Sequence, residues 1–361
     1  MNQFPEETPG QTPERPSEPG RFFGNRKKDR IDQLAETAGH TASPSPAGTG
    51  TVTDTVTDTV TVADAGRVAG GEGQSLIASA WARLRRNPIF LTGAAITFVF
   101  VVLAVIGPWI APHDPAAQPL LDQVRPQTNP VPQAQPGFPL GGDTVGRDLF
   151  SRLLVGARQT LIVGVLATLG GLLGGLILGT LAGAIGGRVD TVIMRIVDVM
   201  LSIPGLILAV SIAAIAASPS QTTVIIAIAV VQIPIFARLL RGSMLGQRAS
   251  DHVLAARALG VRPRAVVFRH MLPNSLGPVI VQSTLVLATA IIEAAGLSFL
   301  GLGNPDDRQP EWGQMLGNAQ QLVGAYPHLA IYPALCIIVV ALGFTLMGES
   351  LREALDPKSR R

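Results

Sequence analysis

The stretch Asp251–Asn274, DHVLAARALGVRPRAVVFRHMLPN, decides what kind of chain this is, because it sets a cluster of arginines between two long uncharged runs. Six arginines lie from Arg241 to Arg269. At about 3 kcal/mol each for the centre of a membrane span, inserting them would cost roughly 18 kcal/mol. The segment therefore lies in water or on a membrane surface, and the runs beside it are the membrane-embedded part. Its internal punctuation predicts structure. Ser250 or Asp251 can cap a helix through VLAARAL, Gly260 supplies a stop, and Pro263 suits the first turn of a second helix that Pro273 ends. Ala255, Ala256 and Ala258 keep the first helix slender enough to enter a groove on a partner, while Val253 and Leu259 offer apolar contact. Periodicity alone fits equally well an amphipathic loop lying on the bilayer.

Working outward, the whole chain has the composition of a membrane protein. Of 361 residues 47% are hydrophobic and only 15% charged, and the charges gather between uncharged runs of about 20 residues, the length that crosses a bilayer. The net charge of +3 does not indicate nucleic acid, since Lys and Arg flank apolar runs in the manner of cytoplasmic loops. The single cysteine, Cys336, excludes an internal disulfide and a cysteine metal site. Residues 1–75 are rich in Pro, Gly, Ser and Thr, carry the repeat TVTDTVTDTV, and have no apolar run to bury. They are expected to form a disordered cytoplasmic tail, ahead of a membrane domain over 76–361.

Six uncharged runs follow: Ile89–Ile110, Thr160–Gly187, Val199–Ala217, Ser218–Ala237, Met271–Ile292 and Leu329–Gly348. Arg83, Arg85 and Arg86 precede the first and place the N-terminus inside. Six crossings then put the arginine-rich segment at 238–270 and the basic C-terminal tail in the cytoplasm, with both termini inside. The first outer loop runs against the charge rule, because Arg125, Arg147, Arg152 and Arg158 fall in it.

Within the runs, Gly171, Gly175, Gly179 and Gly183 recur every four residues and clear one helix face for close packing. Pro204 and Pro234 are expected to kink the third and fourth spans. Glu293, near the outer end of the fifth, is the carboxylate best placed on a translocation pathway. No phosphate loop, HExxH or GxSxG motif is present, so the chain carries no catalytic signature and no metal-binding motif of its own.

Longer stretches carry a resemblance. Ala255-Ala256, Gly260 and Leu272-Pro273 keep the order and spacing of the cytoplasmic EAA loop of binding-protein-dependent ABC importer permeases, with Leu254 where that motif has its Glu. PWIAPHDP (Pro108–Pro115), PLGGDTVGRDLFSRLLVGAR (Pro139–Arg158), GGRVDTVIMRIVDVMLSIPGL (Gly186–Leu206), EAAGLSFLGLG (Glu293–Gly303) and EWGQML (Glu311–Leu316) resemble the dipeptide, oligopeptide and nickel permeases of the second type. The resemblance implies an all-α polytopic protein with the type I importer permease fold, in a prokaryotic inner membrane. It implies as partners a second homologous permease, ATPase subunits that hold ATP and Mg, and an extracytoplasmic solute-binding protein. It assigns ATPase coupling to a loop over 241–273, with Val253, Ala255, Ala256, Leu259, Gly260, Leu272 and Pro273 as its contact and shape-determining residues. The alternative is a secondary transporter driven by an ion gradient.

Overall fold

In the computed structural model, residues 81–216 and 218–355 are described; the expected N-terminal tail over 1–75 and the last six residues lie outside them. The described residues are helical apart from turns and isolated bridges. In chain order the helices are α1 (Pro88–Ile110), α2 (Leu149–Ile185), α3 (Gly187–Ser202), α4 (Gly205–Ile215), α5 (Gln221–Arg248), α6 (Asp251–Ala258), α7 (Leu272–Phe299), α8 (Trp312–Ala319) and α9 (His328–Leu355). A short helical turn, Pro263–Ala265, and a wide π-type turn, Val266–Met271, lead into α7. Polar side chains start the main spans. Asn87 accepts from Ile89 and Phe90 N–H at α1, Asp148 from Phe150 and Ser151 N–H at α2, and Ser220 from Thr223 N–H at α5.

Among the described residues, five stretches are long and apolar enough to cross a membrane: α1, α2, α5, Pro263–Phe299 and α9. The third expected span, Val199–Ala217, is not one helix. Residues 199–202 complete α3, and α4 leaves it at 96°, so the pair makes a sixth crossing only if the two are counted together. The cause is local. Pro204 has no N–H to continue the helix and disfavours a helical Ile203, which sits extended at φ −92°, ψ 130°. Pro234, by contrast, lies inside α5, which runs through it as one element.

The most extensive helix contact is α2 against α5. It is made by the glycine face: a methyl added at Gly171 would lie 2.6 Å from Gln232 Cβ, at Gly179 2.8 Å from the Ala237 carbonyl oxygen, and at Gly183 2.9 Å from Met244 Cβ. Gly175 meets Phe236 and Ala237 in the same way. These glycines bring two helices to backbone contact and so fix the position of everything attached to α5, including the loop that carries α6.

Two of the four arginines in the segment between α1 and the body of α2 are consumed by its folding, while Arg125 and Arg158 are exposed. Arg152, 1% exposed, donates from Nη1 to the carbonyls of Pro115 (3.0 Å) and Asp307 (2.9 Å), and its Nε lies 3.6 Å from Asp143. Arg147 pairs with Asp143 at 2.7 Å and donates to the Asp307 carbonyl at 3.0 Å. Buried and paired, these two carry no topological signal, which removes them from the count against the expected orientation. Trp312 of α8 ties the same region to α2, donating from its indole nitrogen to the Leu153 carbonyl at 2.9 Å, over the space that Gly156 leaves.

Glu311, just ahead of α8, is buried and accepts from Ser298 Oγ at 2.7 Å, while its Oε1 has no partner among the described residues. Burial pushes its carboxyl up to about 7, against the opposing effect of the Ser298 and Gly313 hydrogen bonds. A value raised above that of the unfolded chain gives stability that is complete at acid pH and lost as the pH rises through about 7. Over that window the loss amounts to about 3 kcal/mol at about 1.4 kcal/mol per unit. Thermal unfolding between pH 5 and pH 8 is expected to drop in midpoint for the unmodified protein and to stay nearly level for Glu311→Gln. Equal slopes for the two proteins would refute the assignment.

Candidate functional site

The loop between α5 and α7 forms a corner. Helix α6 ends in a paired stop in which Val261 N–H donates to the Ala256 carbonyl and Gly260 N–H to that of Arg257, with Gly260 at φ +75°. Only a residue tolerant of the left-handed region closes the helix this way. The chain then returns through Pro263. Pro273 does not end the return helix, contrary to the sequence expectation: the π-type turn admits it, and the helix continues as α7. Side chains take over the carbonyls loosened there, Asn274 Nδ2 donating to His270 O at 2.7 Å and Ser275 Oγ to Met271 O at 2.8 Å. Asn274 Nδ2 also lies 3.2 Å from His252 Nε2, which fastens α6 to the start of α7.

The structure reverses part of the expected contact face. Val253 (0% exposed) and Ala256 are buried within this chain, in a cluster with Phe236, Leu240, Met244, Val266 and Met271. They key α6 onto the ends of α5 and α7 and are not free to meet a partner. Leu272 is half-buried beside the same cluster and Pro273 is exposed. The outward face consists of Leu254 (50% exposed), Ala255, Ala258 and Leu259 (84% exposed), with Gly260 exposed at its end. The reason is geometric: positions 253 and 256 share one side of a helix and 254, 255, 258 and 259 the other, and both sides are apolar.

Two carboxylates, Asp190 and Asp198, tie α3 to the C-terminal half of α5. Arg241 makes a two-pronged bond to Asp190, with both contacts at 2.6 Å, and Arg238 pairs with Asp198. Of the six arginines counted against membrane insertion, Arg241 is thus already matched within the protein. The available signal was the pair of aspartates, Asp190 and Asp198, eight residues apart in a helix that also carries Arg188 and Arg195.

Between α3, α5 and α7 lies an open groove of about 670 Å³, lined by Leu201, Ile235, Leu239, Gly242, Pro278 and Gln282, with Arg238 at its edge. Further along α7 stands Glu293. Half-buried, it faces the α3–α4 break, where a methyl added at Gly205 would lie 3.5 Å from its Oε1 and 3.2 Å from Val231. Its Oε2 is enclosed without a hydrogen-bond partner, and no ion pair reaches it among the described residues. Groups of His, Cys, Asp and Glu able to hold a metal ion are absent from the described residues.

The family described as the inner-membrane component of binding-protein-dependent transport systems matches residues 175–361, and the N-terminal transmembrane domain of oligopeptide transport permease C matches residues 75–132. The chain belongs to this family of importer permeases. Among relatives, the dipeptide transport system permease of Alkalihalophilus pseudofirmus is 40% identical over 286 residues, covering 78% of this chain and 90% of the relative. The glutathione transport system permease of Shigella flexneri is 44% identical over 278 residues, covering 77% and 89%. Among solved structures, the methionine ABC transporter MetNI in an inward-facing conformation matches at 21% identity with a TM-score of 0.47, over 57% of this chain and 96% of that one. The permease is accordingly a multi-pass inner-membrane subunit of an ABC importer, a class that works with ATPase subunits and a solute-binding protein. Membership displaces the secondary-transporter alternative, because the energy source of the class is a separate ATP-hydrolysing subunit.

Proposed function

We propose that this permease imports peptides or closely related small solutes, forming half of a transmembrane route whose other half is a second permease of similar fold. The observation that carries the cargo reading is agreement over 90% and 89% of the length of relatives named for dipeptide and glutathione transport. The cytoplasmic side is that of α6 and of Arg248, Arg257, Arg262, Arg264 and Arg269, with both termini inside. The ATPase subunit docks on the outward face of α6, and Leu254, in place of the motif's Glu, makes that contact apolar. Because Val253 and Ala256 anchor α6 to α5 and α7, closure of the ATPase pair on ATP moves those spans together with the loop. ATP and Mg are held by the ATPase, cargo is delivered to the outer loops by the binding protein, and this chain performs no catalysis. Reconstitution of the complete importer in liposomes tests the reading. ATP is expected to drive uptake of a labelled dipeptide with no ion gradient present; uptake that needs a gradient and ignores ATP, or uptake of nickel ion to the exclusion of peptides, contradicts it.

A further inference from the structure

Glu293 is a half-buried carboxylate within a long apolar helix, and no cation balances it among the described residues. It lies two turns inside the outer end of α7, about 9 Å at about 1.5 Å of rise per residue. Its neighbour Val231 lies ten residues into α5, or about 15 Å, so the pair sits within a hydrocarbon layer about 30 Å thick. An ionised carboxylate at that depth requires a compensating positive charge or a proton. Two features show where such a charge arrives. Glu293 is eleven residues beyond Gln282, three helical turns on the same face of α7, so it stands in line with the groove that Gln282 and Pro278 border. Leu201 borders that groove too and is followed within four residues by the break at Pro204–Gly205, where Gly205 presents no side chain toward Oε1. The groove is apolar, its only charged lining group is Arg238, and Arg238 is already paired with Asp198.

We propose that Glu293 is the permease's subsite for the cationic amino group of its cargo, with the groove below it taking the apolar remainder. The proposal rests on the peptide reading above. In transit the ammonium group replaces water around the carboxylate, and the loose geometry of the α3–α4 break lets α4 move aside to admit it. Arg238 and Asp198 mark the inner end of the same path, where their mutual pairing leaves no net charge to hold the departing cargo.

The test uses the complete importer in liposomes, with uptake of labelled dialanine and ATP hydrolysis measured together. Glu293→Gln is expected to lower uptake per ATP by at least about tenfold while hydrolysis stimulated by the loaded binding protein persists, and Glu293→Asp to recover part of it. A second measurement needs no binding protein. Alanyl-alanine amide, which keeps the ammonium group, is expected to raise the melting temperature of the permease–ATPase complex more than its N-acetyl form does. This difference is expected to vanish in Glu293→Gln and to survive in Glu293→Asp. An unchanged uptake ratio in Glu293→Gln, or an unchanged preference for the free amine, overturns the proposal and leaves the peptide reading intact. Failure of the unmodified importer to take up dialanine and longer peptides alike overturns the peptide reading, and the proposal falls with it.

Discussion

Leu259→Asp is expected to uncouple the importer without disturbing the membrane domain. Leu259 is 84% exposed in the free permease and sits on the face of α6 that no described residue covers. If the ATPase covers it, an aspartate there is desolvated without a partner, at a cost of about 3 kcal/mol, or roughly a hundredfold in affinity. ATPase subunits should cease to co-purify, and uptake should fall with them, while membrane level and melting temperature of the permease stay as they were. Ala256→Asp gives the contrasting result. Its side chain enters the cluster of Phe236, Leu240 and Met244, so the permease itself should melt at lower temperature. Two neighbouring aspartates thus separate docking from folding. Equal behaviour of the two variants would mean that the faces of α6 have been assigned wrongly.

The second large effect lies in the membrane. Gly179→Leu would bring a side chain against the Ala237 carbonyl oxygen, 2.8 Å from the first added carbon, and Leu240 Cβ is only 3.0 Å away. A backbone oxygen cannot rotate aside, so α5 must move as a body and the cytoplasmic loop with it. Overpacking of this kind costs about 3 kcal/mol or more. Little folded permease should be recovered, and what remains should have lost ATP-driven uptake. Gly246→Ala, on the part of α5 where an added methyl meets nothing within 4 Å, provides the control and should be neutral or slightly stabilising. Normal uptake by Gly179→Leu would show that α2 and α5 do not depend on close approach.

What could be read from sequence was whatever local chemistry dictates. The glycine ladder, the left-handed stop at Gly260 and the start at Pro263 each depend on a few adjacent residues, and each is found at its expected position. The break between α3 and α4 was half visible. Pro204 predicts a disturbance, but the apolar run from Val199 to Ala217 hides that the chain turns by 96° there. The inner face of α6 was not legible, because Val253 and Ala256 differ from Leu254 and Leu259 only in which neighbours surround them. The same holds for Arg152, whose Asp307 partner is 155 residues away, and for Glu293, whose closeness to Gly205 follows from how the helices pack. The pairing that removes Arg147 and Arg152 from the charge rule and the surroundings of Glu293 are therefore both products of tertiary structure.

The central claim is that the outward face of α6 meets the ATPase while the inward face transmits its motion. It is tested most directly by cysteine crosslinking in an active complex, with Cys336 replaced by alanine so that the introduced thiol is the only one in this chain. Cysteine at Leu259 should crosslink to the ATPase subunit with a short reagent in high yield, and cysteine at Val253 should not. A crosslink from Val253, or none from Leu259 while uptake is normal, would contradict the account.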